Sequence, residues 1–226
     1  VLEADIATLK NHIYYFDTLP STQTYALSAL KDNTYKPPFC IYAAHQSHAI
    51  GSRGNQWESV KRAMAFSFAL SCESLPRDLK IESSSIFFGV IMQQFLASLG
   101  SQVWLKYPND LYIKKRKMGG ILTQKVKNAL ICGIGINLSS PQPSKYGSLE
   151  DLISANLKPQ TFLNDFFESF KNFHSWKQIF SIYKLEFHKN KSYFFHFHQQ
   201  RICLKDATLN EDGSLNINGE NFYSLR

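Results

Sequence analysis

Three segments of this chain are more polar than folding requires, and each holds residue types that can do chemistry. Lys106-Tyr107-Pro108-Asn109-Asp110 directly follows an apolar run. Pro108 fixes its own φ and keeps Tyr107 extended, so Lys106, Asn109 and Asp110 are held in set directions beyond a strand end. Lys106 and Asp110 alone require no more than a surface ion pair. Lys114-Lys115-Arg116-Lys117 is a run of cations running into Met118-Gly119-Gly120. Such a run is either a solvated turn or a patch for a polyanion. Lys117 lies nearest the next strand, Ile121-Leu122, and is best placed to turn inward. The third segment is Gly51-Ser52-Arg53-Gly54-Asn55-Gln56-Trp57. Its glycines permit close backbone approach and let N–H groups point at an anion. Arg53 adds a planar fork for phosphate or carboxylate, and Trp57 can stack on a ligand or cover a pocket. The pattern is neither a Walker loop nor a dinucleotide fingerprint, and a plain surface turn satisfies it equally well.

Other chemistries have less support. His196 and His198 alternate with Phe195 and Phe197, so both share one strand face, but no third ligand stands at metal spacing and no metal site is expected. Cysteines at 40, 72, 132 and 203 never form a CxxC pair, so buried, reduced, cytosolic thiols are the expectation. There is no GxSxG elbow, no HExxH and no convincing Ser-His-Asp order.

The elements that must position these segments read as follows. Ile13–Phe16 is a β-branched and aromatic strand ending at Pro20, and Ser21-Thr22-Gln23-Thr24 supplies N-cap chemistry for a helix to about Leu30. Phe39–Ala44 and Ala63–Leu70 are strands flanking a long polar stretch. Ser83-Ser84-Ser85 caps a helix whose apolar face is Ile86, Phe87, Val90, Ile91 and Leu96. Val103–Leu105, Leu111–Ile113, Ile121–Val126 and Leu130–Ile136 are four more strands. One long helix is predicted from Gln160 to His188, with Phe162, Phe166, Phe170 and Phe173 packing against a sheet and Leu163 on its flank. Beyond Lys191 come short runs, Ile202–Leu204, Ala207–Leu209, Leu215–Ile217 and Phe222–Leu225, split by Asp212-Gly213 and Asn218-Gly219. Those dipeptides accept the positive φ of tight hairpins.

The fold class is therefore α+β: a mixed or antiparallel sheet flanked by helices over residues 1–190, then a small β domain over 191–226 that must lean on the larger one. A chain of 226 residues with eighteen Phe and eleven Tyr can build such a core without disulfide or metal. No apolar run is long enough to span a membrane, and no secretory signal is read at the N-terminus. A net charge of +7 raises the prior for anionic partners without choosing among nucleic acid, acidic protein and phosphate-bearing substrates.

Taken together and in order, these segments resemble the biotin–protein ligase family. The match begins with Phe16-Asp17-Thr18-Leu19-Pro20-Ser21-Thr22-Gln23 and continues through Gln46 and the Gly51–Trp57 loop. Lys106-Tyr107-Pro108-Asn109-Asp110 is one aromatic swap from the family's Lys-Trp-Pro-Asn-Asp signature. Lys117-Met118-Gly119-Gly120-Ile121-Leu122 and Gly133-Ile134-Gly135-Ile136-Asn137-Leu138 follow at family spacing, and Tyr223-Ser224-Leu225-Arg226 resembles part of a small C-terminal domain. The resemblance implies a class II synthetase-like catalytic domain with an SH3-like barrel. It implies that ATP and biotin, with Mg²⁺, give biotinyl-5′-AMP, and that the biotinyl group passes to a lysine on the biotin carboxyl carrier protein of acetyl-CoA carboxylase or a related carboxylase.

Residue by residue, the resemblance implies that Lys117 contacts the reacting carboxylate and α-phosphate, and that Asp110 receives or orients the incoming amine. Ser21, Thr22 and Gln46 would bond biotin's ureido ring, with Gln23 where Asn is more usual. Arg53 and Trp57 would sit in the loop over the adenylate. Gly51, Ser52, Lys106, Asn109, Gly119, Gly120 and Asn137 complete the candidate substrate-binding set, and Arg53 is grouped with Lys117 and Asp110 as catalytic. The loop departs from the family at Ile50, Ser52 and Asn55, where arginines are usual, so a looser hold on the intermediate is expected. The resemblance starts by about His12, so the expectation is a monofunctional, cytoplasmic monomer or homodimer without operator binding. A lipoate–protein ligase and a basic nucleic-acid-binding protein are the alternatives.

Overall fold

The computed structural model describes residues 2–51, 57, 62–139, 145–149, 158–197 and 200–223, with backbone only for 2, 3, 195–197 and 200. Seven strands form one sheet in the spatial order β1 (Ile13–Leu19), β2 (Phe39–Gln46), β3 (Arg62–Ser71), β7 (Ala129–Ser139), β6 (Arg116–Val126), β5 (Asp110–Ile113), β4 (Val103–Lys106). β1 and β2 are parallel, joined through helix α2 (Thr22–Lys31), and every other neighbouring pair is antiparallel. The sheet is mixed, and the strands predicted between Ile13 and Ile136 all fall within it.

Side-chain alternation gives this sheet two unlike faces. Met64, Phe66, Phe68 and Leu70 of β3 and Leu130, Cys132, Ile134 and Ile136 of β7 enter one large aromatic core. That core is closed by α3 (Ser84–Ser98), α4 (Pro159–Ser169) and α5 (Trp176–Glu186), with Phe162, Phe166 and Phe170 all buried. Of the intervening residues, Ala65, Ser67, Ala69, Gly133 and Gly135 are small, whereas Ile131 is bulky and buried. Part of that second face takes a lesser cluster around Leu19, Ala26, Phe39 and Ile41 under α2.

Several expectations need correction. A helix α1 (Leu2–Asn11) precedes β1, burying Ile6 and Leu9. Helix α3 is buried on almost every side rather than on one face, because it lies between the sheet and α5. The long helix predicted over 160–188 is two helices. The phenylalanine stripe continues through a 3-10 turn (Phe170–Asn172), but Phe173 is extended and Ser175 starts α5 by accepting a hydrogen bond from Gln178 N. Asp78, remote in sequence, accepts from the N–H groups of Trp176 and Lys177 at 2.9 and 3.0 Å, a tertiary cap that local periodicity does not reveal. Of the cysteines, Cys40 and Cys132 are buried, with burial holding their thiols protonated well above the usual range, whereas Cys72 is half-buried and Cys203 exposed.

The C-terminal residues form a two-stranded sheet of β8 (Phe194–Phe197) and β9 (Gln200–Cys203), and a three-stranded one of β10 (Thr208–Leu209), β11 (Leu215–Ile217) and β12 (Glu220–Phe222). Asn218 and Gly219, at φ 53° and 87°, make the tight turn between β11 and β12. Gly213 is also left-handed, at φ 85°, but Asp212-Gly213 sits in a longer loop. Leu204, Ala207, Leu215 and Phe222 join the main core. Lys80 meets Asp212 at 2.8 Å, and Trp176 Nε1 donates to the Glu211 carbonyl at 2.6 Å. His198 and residues 224–226 lie outside the described residues, as does the end of the strand predicted to reach Leu225.

Candidate active site

The small-residue face of the sheet opens into a cleft whose empty space, about 530 Å³, includes solvent at its mouth. Its inner end is built by the first turn of α2. Ser21 is extended at φ −159° and accepts from Thr24 N at 3.3 Å, the N-cap bond the sequence predicts. Thr22 N donates to Gln46 Oε1 at 2.6 Å, which leaves the amide NH₂ of Gln46 as the end it can offer a ligand. Thr22 Oγ1 shares a 2.9 Å hydrogen bond with Ser67 Oγ. Gln23 is 4% exposed, and both its amide atoms are buried without a hydrogen-bond partner. A buried amide in that state costs free energy unless a ligand satisfies it.

Two glycines on β7 set the floor. A Cβ at Gly133 would lie 2.5 Å from Gln23 Oε1, and one at Gly135 would lie 3.5 Å from the Trp57 ring. Both glycines face the same way, about 7 Å apart along the strand, so Gln23 and Trp57 lie side by side over them. Gly120 on β6 extends the platform, since a Cβ there would touch Trp57 at 3.4 Å.

The outer end carries the charge. Lys117 Nζ lies 2.5 Å from Asp110 Oδ1 and 5.4 Å from the Trp57 ring centroid. Its side chain is 32% exposed, so it borders the cleft and water together. Lys117 belongs to strand β6 and pairs with Tyr112; the strand begins at Arg116, five residues before the expected Ile121, with a register shift against β5 at Leu111/Tyr112. Lys114 and Lys115 are exposed at the hairpin tip, so the run of cations divides as its position relative to the sheet suggests. Asn109 braces the turn, its Nδ2 donating to the Ile121 carbonyl and its own carbonyl accepting from Ile121 N, both at 2.8 Å. Tyr107-Pro108 is a cis peptide.

Thus the cleft gathers Ser21, Thr22, Gln23, Gln46, Gly51, Trp57, Asn109, Asp110, Lys117 and Gly120. Three candidates stand elsewhere. Lys106 lies behind Asp110, 3.8 Å from Oδ2, over the rings of Tyr112 and Tyr193. Gly119 permits β6 to approach β7, where a Cβ would meet the Gly135 carbonyl at 2.7 Å. Asn137 is buried and donates to the Gly147 carbonyl at 3.2 Å. Ser52, Arg53, Gly54 and Asn55 lie outside the described residues. Sequence reasoning gave no role to Ser67, Ala65, Gly133 or Gly135. Their signal is small residues on alternate positions of otherwise bulky strands.

A model of the biotin/lipoate A/B protein ligase family matches residues 15–139, more than half of the sequence. The chain belongs to that family. Within it, the chain is similar to a crystal structure of biotin acetyl coenzyme A carboxylase synthetase from Helicobacter pylori with bound biotinylated ATP: 39% identity, 94% of this chain and 99% of that one covered, TM-score 0.87. The biotin protein ligase of Aquifex aeolicus in complex with biotin and ATP shares the fold at 21% identity, covering 95% of this chain and 96% of its own, with a TM-score of 0.74. Biotin–protein ligase 2 of Arabidopsis thaliana is 32% identical over 135 residues, 54% of this chain and 41% of that protein. The bifunctional ligase/repressor BirA of Escherichia coli K12 is 32% identical over 128 residues, 54% and 39% respectively. The ligase-family chain therefore spans about two fifths of the length of these curated relatives.

Proposed function

We propose that this protein is an ATP-dependent ligase that activates biotin as biotinyl-5′-AMP and transfers it to a lysine of a biotin carboxyl carrier protein. The observation that carries the reading is one cleft with a cation at its mouth and buried amide and hydroxyl groups at its end. Gln23, Gln46 and Thr22 offer donors and acceptors suited to a cyclic urea; a dithiolane ring would leave them unpaired, so biotin is favoured over lipoate.

In the first step a carboxylate oxygen of biotin attacks the α-phosphorus and pyrophosphate leaves. Negative charge converges there, and Lys117 is positioned to offset it, with Arg53 assigned a like role from sequence. In the second step the carrier amine attacks the acyl carbon, the bond to the phosphate oxygen breaks, and AMP departs. The amine must shed a proton, and Asp110 beside Lys117 is the acceptor or orienting group. Trp57 covers the adenylate over its glycine floor.

Magnesium enters as part of the nucleotide substrate. Asp110 is the sole carboxylate among the described cleft residues, and it is engaged by Lys117, so the described side chains do not fit a protein-held ion. The reading extends to a class II synthetase-like catalytic unit over 1–190, an SH3-like barrel over 191–226, a cytoplasmic setting and a monomer or homodimer. No helix among the described residues is long and apolar enough to cross a membrane. Pyrophosphate exchange tests the whole: biotin should drive isotope into ATP and lipoate should not. Exchange with lipoate alone, or with neither acid, overturns the assignment.

A further inference from the structure

The turn bearing Asn109 and Asp110 is held from behind by the C-terminal part of the chain at three places. Asn190, which ends the 3-10 turn after α5, is fully buried. Its Oδ1 accepts from the backbone N–H of Tyr107 at 2.7 Å, and its Nδ2 lies 3.5 Å from the carbonyl of Leu105. The ring of Tyr107 is 1% exposed, and its hydroxyl donates to the carbonyl of Phe222 in β12 at 3.1 Å. The Lys106 ammonium lies 6.0 Å from the ring centroid of Tyr193 while meeting Asp110 Oδ2 at 3.8 Å.

The location explains why such contacts are needed. β4 is the last strand of the sheet, paired on one side by β5. Along a strand, the N–H of one residue and the carbonyl two positions earlier point to the same side. The outer edge therefore presents Tyr107 N–H and Leu105 C=O together, buried and in need of partners. One amide side chain supplies an acceptor and a donor at that spacing, so Asn190 stands in for a further strand. The tyrosine hydroxyl adds a second tie one side chain deeper. Tyr107 is also where the sequence departs from the tryptophan of the ligase signature, and its hydroxyl is what reaches Phe222.

We infer that Asn190 and Tyr107 are positioning residues for Asp110, so that residues 190–222 fix the carboxylate which the transfer step uses. The inference rests on the ligase reading above. Asp110 pairs directly with Lys106 of β4, whereas Lys117, on β6 opposite Tyr112, is one strand further from that edge and two residues before the β6–β7 pairing begins at Gly119. Loosening the edge should thus disturb Asp110 more than Lys117, and transfer more than activation.

The experiment compares the two half-reactions in Tyr107→Phe and unchanged protein. Activation is read as biotin-dependent pyrophosphate exchange. Transfer is read as the single-turnover rate from synthetic biotinyl-5′-AMP to a biotin carboxyl carrier domain, with hydroxylamine as a small nucleophile for comparison. We expect carrier transfer to fall roughly tenfold, while exchange, KM for biotin and the hydroxylamine rate stay within about twofold. Equal losses in all three reactions, or no loss in transfer, overturn the inference and leave the ligase reading standing. Absence of exchange in the unchanged protein overturns both. Should Tyr107→Phe not be recovered folded, Asn190→Ser is read by the same ratio.

Discussion

Gly133→Ala separates the fold from the binding site in one substitution. The added methyl would lie 2.5 Å from Gln23 Oε1, 3.4 Å from its Cδ and 3.1 Å from Ser67 Oγ. Ordinary contact needs nearly 1 Å more at the closest atom, so the amide must move. It can do so cheaply, since it is the far end of a flexible side chain and the cleft beside it is open. The strand backbone at 133 has no positive φ, so alanine there incurs no conformational strain and is favoured over glycine by about 0.5–1 kcal/mol in an extended segment. Stability should therefore change little. Binding should not escape, because the displaced amide enters the volume a ligand must occupy and loses its alignment. One misplaced hydrogen bond in a desolvated site is worth about 1–2 kcal/mol, roughly a five- to thirtyfold weaker affinity for biotin. Isothermal titration with biotin, beside a ligand-free thermal melt, reads both quantities. Unchanged affinity would refute the placement of Gln23, and a collapsed melting temperature would refute the claim that only a side chain must yield.

Gly119→Ala should behave oppositely, because its methyl would meet the Gly135 carbonyl at 2.7 Å and main chain cannot step aside; a loss of about 1–3 kcal/mol in denaturant titration is expected. Lys117→Ala should slow pyrophosphate exchange by about 10²–10³ with little change in melting temperature, since a part-exposed ion pair is worth about 1 kcal/mol or less; normal exchange refutes its role. Asp110→Asn should slow carrier transfer more than exchange in the same assays. Ser52→Arg should lengthen retention of labelled biotinyl-5′-AMP in gel filtration, and unchanged retention counts against a role for the missing cations. Burial alone would raise the pKa of Asp212, but hydrogen bonds from Lys80 and Ser214 outweigh it and bring it from 3.8 to about 2. A depressed folded-state pKa gives stability that is present above the ordinary value and lost as pH falls through about 2. The melting-temperature gap between the unchanged protein and Asp212→Asn should close between about pH 4 and pH 2, and a gap constant across that window refutes the assignment.

The polar residues that act through their own type were legible in the sequence. A serine before a helix, a lysine entering a strand ahead of paired glycines, and a carboxylate after an X-Pro turn each have a local reason to be where they are. What escaped depends on residues far apart. Ser67 on β3 gains its meaning from Thr22 at the start of α2, and Gly133 from Gln23. The break between α4 and α5 is stabilised by Asp78, nearly a hundred residues away in sequence, against a phenylalanine periodicity that reads straight through it. Helix α1 had a weaker excuse, because Ile6 and Leu9 already stand at helical spacing. Lys106 and Asn137 were grouped with the ligand through the family resemblance; Lys106 lies over the rings of Tyr112 and Tyr193, and Asn137 donates to the Gly147 carbonyl while its buried Oδ1 has no hydrogen-bond partner.

The misses at Ser67 and Gly133 share a cause in the two-faced sheet. On β3 and β7 the residues facing the helices are Phe, Leu, Ile and Met, and they form the interlocked rings that fix the strands against α3 and α4. The residues between them over the cleft, Ala65, Ser67, Gly133 and Gly135, bury little area and contribute little to folding, while Ala69 and Ile131 join the lesser core cluster. A strand that spends alternate positions this way leaves depth above its backbone, which a bulky ladder would fill. The large core makes that depression tolerable, and under the proposed function the depression is where the substrate approaches the main chain. The placement of charge then follows from register. The shift between β5 and β6 at Leu111/Tyr112 sets Lys117 opposite Tyr112, and its side chain, 32% exposed, lies at the rim and not on the floor, where desolvation would oppose its charge. A ligand seated on the glycines must therefore direct its anionic end outward to Lys117 and its neutral polar end inward to Gln23, which fixes the direction in which an acid such as biotin enters.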